Sequence, residues 1–563
     1  MSRLFRVLSL VAVLFGGPVA AQDGDAGAYL AARVAASQSD FRSAAAWFAR
    51  AMLSDTRNPE LLEGTVIANI NIGEIDLAAE VGRRLLDLGG SNQTAVLALM
   101  AKAGKAGDFA ALLVDPAERQ TAGALLDGLV RSWAELGQGR MSEAQAGFDV
   151  LAKTRGLEAF GLYHKALGLA SVGDFEGADE ILSGRAAGSI TVTRRGIITH
   201  VQILSQLENN TEALAVLNRN FAPGQDPEID DLRRRLTAGE PLAFNMVRNA
   251  TDGLAEVFFT MATALNGEAE DGYTLMYARI ATYLRPDHVD SILLTADLLE
   301  AQEQFDLATD AYALIPTDNP ASYVAEIGRA NATYAAGRKE ASIEILQALA
   351  RSKGDILAVQ MALGDGLRRE ERFAEATRAY DAAIALVPDP AARHWPIFYS
   401  RGICHERSGD FAAAEADFRR ALDLNPDQPQ VLNYLGYSLV DRGEQLPEAL
   451  AMIERAVAAD PEGYILDSLA WALFRLGRFD EALAPMEQAS LLEPVDPVVT
   501  DHLGDVYWAV GRTLEARFQW RRALSFDPVE KDATRIRRKL EVGLDAVMAE
   551  EAAAGKPVVK AQP

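Results

Sequence analysis

The stretch ILDSLAWALFRLGRFDEALAPMEQASLLEPVDPVVTDHLGDVYWAVGRTLEARFQWRRALSFDP, residues 465–528, decides the fold because it states one pattern twice. Gly477 and Gly511 are separated by a period of 34, an alanine stands just behind each (Ala482, Ala516), and each unit closes on a proline (Pro494, Pro528). One period upstream stand Gly443, Ala449 and Pro461, and one further Gly409, Ala414 and Pro426. Glycine ends a helix and proline stops one, so each period reads as helix, turn, helix. The 443 unit has one extra residue in its turn, with Pro447 placed where a first helical turn tolerates a missing N–H. A single unit cannot bury its apolar face, so neighbours must stack, and the stack presents a long groove.

The period continues toward the N-terminus. Ala376, Tyr380 and Pro388 form one more second helix, Ala308 with Tyr312 another, and YARIATYLRPDH, ending its helix at Pro286, a third. Gly73, Gly107, Gly139 and Gly173 keep spacings of 34, 32 and 34, with Ala78, Ala144 and Ala178 behind their turns, and DFRSAAAWFARA (40–51) has the motif without its proline. Residues 22–222 therefore read as a degenerate helical array, 255–528 as a regular one, and the Pro-, Gly- and Asp-rich 223–254 as the joint between them. Residues 529–551, with Ile536, Leu540, Leu544 and Val547 at helical spacing, are expected to form a capping helix, and 552–563 a frayed tail.

A period of 34 with Leu503-Gly504-x2-Tyr507, then Ala516, Trp520 and Pro528, is similar to the tetratricopeptide repeat signature. The expected fold is all-α: a right-handed superhelical solenoid of helix-turn-helix repeats in two halves with a C-terminal cap.

MSRLFRVLSLVAVLFGGPVAAQ has a basic start (Arg3, Arg6), an apolar run from Val7 to Phe15 and small residues at Val19-Ala20-Ala21, the layout of a signal peptide (1–21) cleaved after Ala21. The expectation is a periplasmic protein with no transmembrane segment after cleavage. A formal charge of −25 repels phosphate backbones, so no nucleic-acid partner is expected. Cys404 is the single cysteine, which excludes an intramolecular disulfide and a multi-cysteine metal site.

Three clusters invite a catalytic reading. His502 and Asp505 are three apart and can share a helix face, but the sequence places no nucleophile with them; the structural alternative puts His502 at a contact between repeats. Cys404 and His405 are adjacent, so on a helix they point about 100° apart. His405-Glu406 begins like a zincin motif without the second histidine. No enzyme, cofactor or metal is expected. The runs Arg233-Arg234-Arg235 and Arg535, Arg537, Arg538, Lys539 read as solvated helix faces.

Adding 34 along the first helices yields three inward rows: Tyr399, Asn433, Asp467, Asp501; then Ile403, Tyr437, Trp471, Asp505; then Glu406, Val440, Phe474, Trp508, with Arg407 and Arg475 beside the last. Large aromatics at positions not needed for pairing within a repeat form a recognition surface, unless Trp471 and Trp508 pack on the next repeat instead. The candidate protein-binding groove is Tyr399, Arg407, Asn433, Tyr437, Asp467, Trp471, Phe474, Arg475, Asp501, Asp505 and Trp508.

Beyond the generic signature, RHWPIFYSRGICHER (393–407), LNYLGYSLVDRG (432–443), ILDSLAWALFRLGRFDEAL (465–483), DHLGDVYWAVGR (501–512) and ARFQWRRAL (516–524) make residues 240–545 resemble a proteobacterial family of exported tetratricopeptide proteins. Relatives of that design include outer-membrane lipoprotein adaptors that bind a periplasmic C-terminal-processing protease and present substrates such as peptidoglycan hydrolases to it. The resemblance implies a non-catalytic scaffold in the cell envelope whose partners are proteins or peptides. It departs at the lipid-bearing cysteine, which is missing here. The alternative is a structural subunit of an envelope assembly or export complex.

Overall fold

The computed structural model describes residues 25–89, 92–114, 122–185, 193–224 and 226–554. The expected signal peptide and residues 555–563 of the expected tail lie outside these. Among the described residues every regular element is a helix, 31 α-helices and one 3-10 helix, and no helix is long and apolar enough to cross a membrane. The chain divides into two compact units between Ile345 and Leu346.

The second unit is the stack of helix pairs that the period requires. Its first helices are Leu357–Arg369, Trp395–Arg407, Pro429–Arg442, Gly463–Arg475 and Pro497–Ala509; its second helices are Phe373–Ala385, Phe411–Leu424, Leu446–Ala459, Phe479–Leu492 and Thr513–Leu524. Each second helix packs on the first helix before it and the one after it, and neighbouring first helices also touch. The close approach within a pair depends on one small residue. A Cβ on Gly504 would lie 2.5 Å from the Trp520 ring, and Gly402 and Gly364 meet Phe418 and Tyr380 of their own second helices in the same way. Where that position carries a methyl, at Ala470, the matching residue of the second helix is the flexible Met486 rather than a ring.

The turns follow the glycines. Gly409, Gly443, Gly477 and Gly511 all take positive φ, between 71° and 84°. The pair that lacks a turn glycine puts Glu371 in the same conformation at φ 57°. The extra residue of the 443 turn is absorbed by Gln445 at φ 45°, directly before the helix that carries Pro447 in its first turn.

The first unit begins as helix pairs and then departs from a simple stack. Helices Ala250–Leu265 and Asp271–Leu284 pack against the first helices of earlier pairs, Pro59–Ile72, Gln93–Ala106 and Ala124–Gly137. Thr251 Oγ1 donates to the Gly104 carbonyl at 3.0 Å, Arg279 Nε to the Asn71 carbonyl at 3.0 Å and the Tyr283 hydroxyl to Asp76 at 3.0 Å. Gly253 sits against the Trp133 ring, where a Cβ would approach to 2.2 Å.

The expected joint at 223–254 is therefore corrected. It contains a helix, Pro227–Thr237, capped by the Asp226 side chain, and Ile229, Leu232, Leu236, Leu242, Met246 and Val247 are buried in the core shared with the N-terminal pairs. Helical spacing of those apolar residues was concealed by the charged DDLRRR run, whose arginines pair with Asp230, Asp231 and Glu240. The expected single capping helix is two, Glu530–Val542 and Leu544–Ala553, broken at Gly543 with φ 86° and ψ 161°, a conformation reserved for glycine.

Candidate functional site

The three expected rows are carried by successive first helices, and the repeats use many of these side chains on one another. Asp467 accepts from His502 Nδ1 at 3.0 Å, and Trp471, 8% exposed, is stacked between Phe474 (centroids 5.0 Å, 9° between planes) and His502 (4.0 Å, 11°). His502 is thus a contact between repeats, and no dyad forms with Asp505. Burial alone would push the His502 imidazole down, yet Asp467 beside it and Asp501 and Asp505 beyond hold it above its ordinary value.

Asp501 and Asp505 do not open to solvent, which corrects their assignment to a groove wall. Lys539, 0% exposed, donates to both, at 2.5 Å and 2.6 Å, and Arg535 reaches Asp505 at 3.2 Å. Adding 34 to Asp501 and Asp505 gives Arg535 and Lys539, so Glu530–Val542 is the first helix of one more period, and its cations complete the rows. This also corrects the solvated reading of the C-terminal basic run: Arg537 and Arg538 face outward, while Arg535 and Lys539 turn in. Asp505 is buried, but Lys539 and Arg535 hold its carboxyl below the ordinary range; burial pushes its neighbour Asp501 up. One more step of the period would have found these partners in the sequence.

Phe474 and Arg475 are also buried, Arg475 with a contact to the Asp441 carbonyl at 3.5 Å. Trp508 is half-buried, donating Nε1 to Asp545 at 3.0 Å beside Gly543. Both tryptophans therefore pack on the following period. Cys404 is a core residue whose thiol burial pushes up to about 11, so it is not an activated nucleophile.

What remains accessible is the earlier part of the face. Arg407 is exposed and Tyr399 and Tyr437 are half-buried; burial pushes the Tyr399 hydroxyl up to about 12. Glu406, from the third row, accepts from the Tyr434 hydroxyl at 2.6 Å and the Ser438 hydroxyl at 2.5 Å. Two buried polar atoms on this face have no hydrogen-bond partner among the described residues: Asn433 Oδ1, an acceptor, and Trp471 Nε1, a donor. Asn433 and Tyr437 are one turn apart, and Asp467 and Trp471 occupy the same two positions one period later.

The tetratricopeptide repeat family model matches residues 361–429, 399–464 and 435–492. Residues 361–492 are tetratricopeptide repeats. A TPR repeat-containing protein of Pseudomonas aeruginosa is 29% identical over 211 residues, covering 37% of this chain and 35% of the relative. The photosystem I assembly protein Ycf3 of Cyanophora paradoxa is 36% identical over 85 residues, covering 15% of this chain and 49% of the relative. The chain thus spans between a third and a half of the length of these curated relatives. Among solved structures, a chain of the APC/C hetero-tetramer Cut9–Hcn1 aligns over 92% of this chain and 96% of its own, at 14% identity and a TM-score of 0.38. Repeats of this kind mediate contacts between proteins.

Proposed function

We propose that the protein is a non-catalytic periplasmic adaptor that holds a protein segment on the first-helix face of its second unit and presents it to a processing protease. The observation that carries the binding reading is the unpaired acceptor of Asn433 and the unpaired donor of Trp471 on the same face. A buried polar group left unpaired costs on the order of 1–3 kcal/mol, and an extended polypeptide offers one N–H and one C=O per residue to relieve both. The basic and apolar N-terminus supports export, and the resemblance over residues 240–545 supports the pairing with a protease.

The test is capture from a periplasmic extract by the tagged protein, identified by mass spectrometry, with the Trp471→Phe and Asn433→Ala variants in parallel. Trp471→Phe keeps an aromatic ring and removes only the donor. Loss of a protease and its clients from the variants supports the reading; capture unchanged in both variants, or recovery of the protein from the cytoplasm alone, overturns it.

A further inference from the structure

The first unit holds a cavity of about 370 Å³ between helices Glu158–Ser171, Arg194–Gln206 and Ala250–Leu265, within the size range of small-ligand pockets. Its walls are apolar, with Phe160, Leu182, Phe259 and Ala264 among them. Its floor is a closed polar network. Glu256, 1% exposed, accepts from Arg195 Nε and Nη2 at 2.7 and 2.8 Å, from the Tyr163 hydroxyl at 3.0 Å and from His288 Nε2 at 3.1 Å. His288 accepts the Ser291 backbone N–H on Nδ1 at 3.1 Å, so it is neutral and its proton sits on Nε2. Arg195 gives Nη1 to Asp290 at 2.6 Å, and His200 is spent on Asp179 at 2.7 Å.

Four donors fill the roughly four lone-pair sites of a carboxylate, so Glu256 has nothing left for a cationic head group. The cations of the lining are paired as well, Arg195 with Glu256 and Asp290 and Arg194 with Asp226 and Glu228, so an anionic head would find no lone positive charge and would meet Glu256 and Asp290. The buried part of any occupant must then be uncharged, and the walls favour a large apolar group. The same Arg195 and Asp290 also wall a second, polar recess of about 400 Å³, lined by Gln202 and Asn245, which bond each other, and by Arg235, which pairs with Glu240. An apolar chamber and a polar one sharing a wall suit a polypeptide better than a compact ligand, because a side chain and its main chain need opposite environments.

We propose that the cavity is an anchor pocket for one large uncharged side chain, aromatic or branched aliphatic, of a bound polypeptide whose neighbouring residues run through the polar recess. This is a second protein-binding site, in the first unit, and it stands or falls separately from the face that carries Asn433 and Trp471.

The test uses the full chain and N-phenyl-1-naphthylamine, an uncharged fluorescent probe, displaced by the pentapeptides Gly-Gly-Trp-Gly-Gly, Gly-Gly-Lys-Gly-Gly and Gly-Gly-Asp-Gly-Gly and by N-acetyltryptophanamide. Expected are saturable probe binding, displacement by the tryptophan pentapeptide at a concentration at least threefold below that needed for the amide, and none by the charged peptides. Thr260→Trp and Ala264→Trp each fill the chamber from Ala250–Leu265, and a variant that keeps wild-type helicity and melting should lose probe binding at least tenfold; two are made so that one misfolded variant leaves the other. Trp471→Phe should leave displacement unchanged, which separates this site from the other face. Probe binding that survives in a folded filled variant, charged peptides that compete equally, or the amide outcompeting the pentapeptide would overturn the proposal.

Discussion

Trp471 and His502 lie face to face, ring centroids 4.0 Å apart and planes 11° from parallel, while the same imidazole bonds Asp467 through Nδ1. One histidine therefore ties two successive repeats by stacking and by charge. Its folded-state pKa is raised. A raised histidine pKa contributes stability that is present in full below the unfolded value of about 6.5 and is lost as pH rises through the folded value. Replacing His502 with Gln should cost roughly 1.5–3 kcal/mol in acid, and the difference in melting temperature between wild type and variant should shrink as pH climbs past neutrality. A gap that widens with pH contradicts the assignment.

His164 in the first unit behaves in the opposite sense. It is buried against Trp133, whose Nε1 donates to His164 Nδ1 at 3.1 Å, and burial holds its pKa down at about 4. The unfolded chain takes up a proton near pH 6.5 that the folded chain refuses, so His164 costs stability progressively as pH falls from 6.5 toward 4. His164→Gln should flatten the acid limb of first-unit unfolding, followed by amide exchange in Ala124–Gly137 and Glu158–Ser171; an acid limb identical to wild type would show that other groups set it.

Lys539 donates a hydrogen bond to both Asp501 and Asp505, and Arg535 stands 3.7 Å and 3.2 Å from the same two carboxylates. Removing one member of a buried ionic cluster typically costs on the order of 3–5 kcal/mol, because the partners stay buried and unpaired. Lys539→Met should therefore loosen the last repeat, seen as a lower urea midpoint and faster amide exchange in Pro497–Ala509. Adding Asp501→Asn and Asp505→Asn should restore much of the loss, and no recovery in the triple variant would mean that packing of the Lys539 stem, not charge, is what matters.

Turn positions give a matched pair of substitutions. Gly477 holds φ 77° at the end of one first helix, and Glu371 holds φ 57° at the end of another. Gly477→Ala should destabilise by about 1 kcal/mol, because a Cβ strains the left-handed region. Glu371→Gly should be neutral or stabilise by roughly 0.5 kcal/mol for the same reason. Gly504→Ala should cost about 1–3 kcal/mol by a different mechanism, since its methyl meets the Trp520 ring at 2.5 Å. Denaturant midpoints for the three variants check the ordering.

The second unit was legible in the sequence because its repeats solve the same packing problem with residues at the same positions: a glycine where the chain turns in all but the pair that uses Glu371, a small residue where two helices approach, and a bulky side chain at a fixed place in the helix that packs on it. The candidate face was legible as positions, not as environments. Asp467, Asp501 and Asp505 occupy the expected rows, but spacing alone does not show whether an inward acid meets a partner or the next repeat's histidine and lysine. The first unit was less legible. Ala250–Leu265 and Asp271–Leu284 pack against helices as early in the chain as Pro59–Ile72 and Gln93–Ala106, and contacts at that separation leave no period in the sequence. The network around Glu256 escaped for the same reason: Tyr163, Arg195, Glu256 and His288 are scattered along the first unit and share no motif.

The return of Asp271–Leu284 to Pro59–Ile72 sets the order in which the protein can form. Contacts between distant residues wait on the closure of a long loop, and local ones do not. The second unit can add its helix pairs one at a time as they emerge. The first unit cannot seal its core until Leu284 is free, so through the first half of the chain's synthesis the apolar faces of its earliest helices have only a temporary cover, and any factor that shields nascent chains has its longest task there.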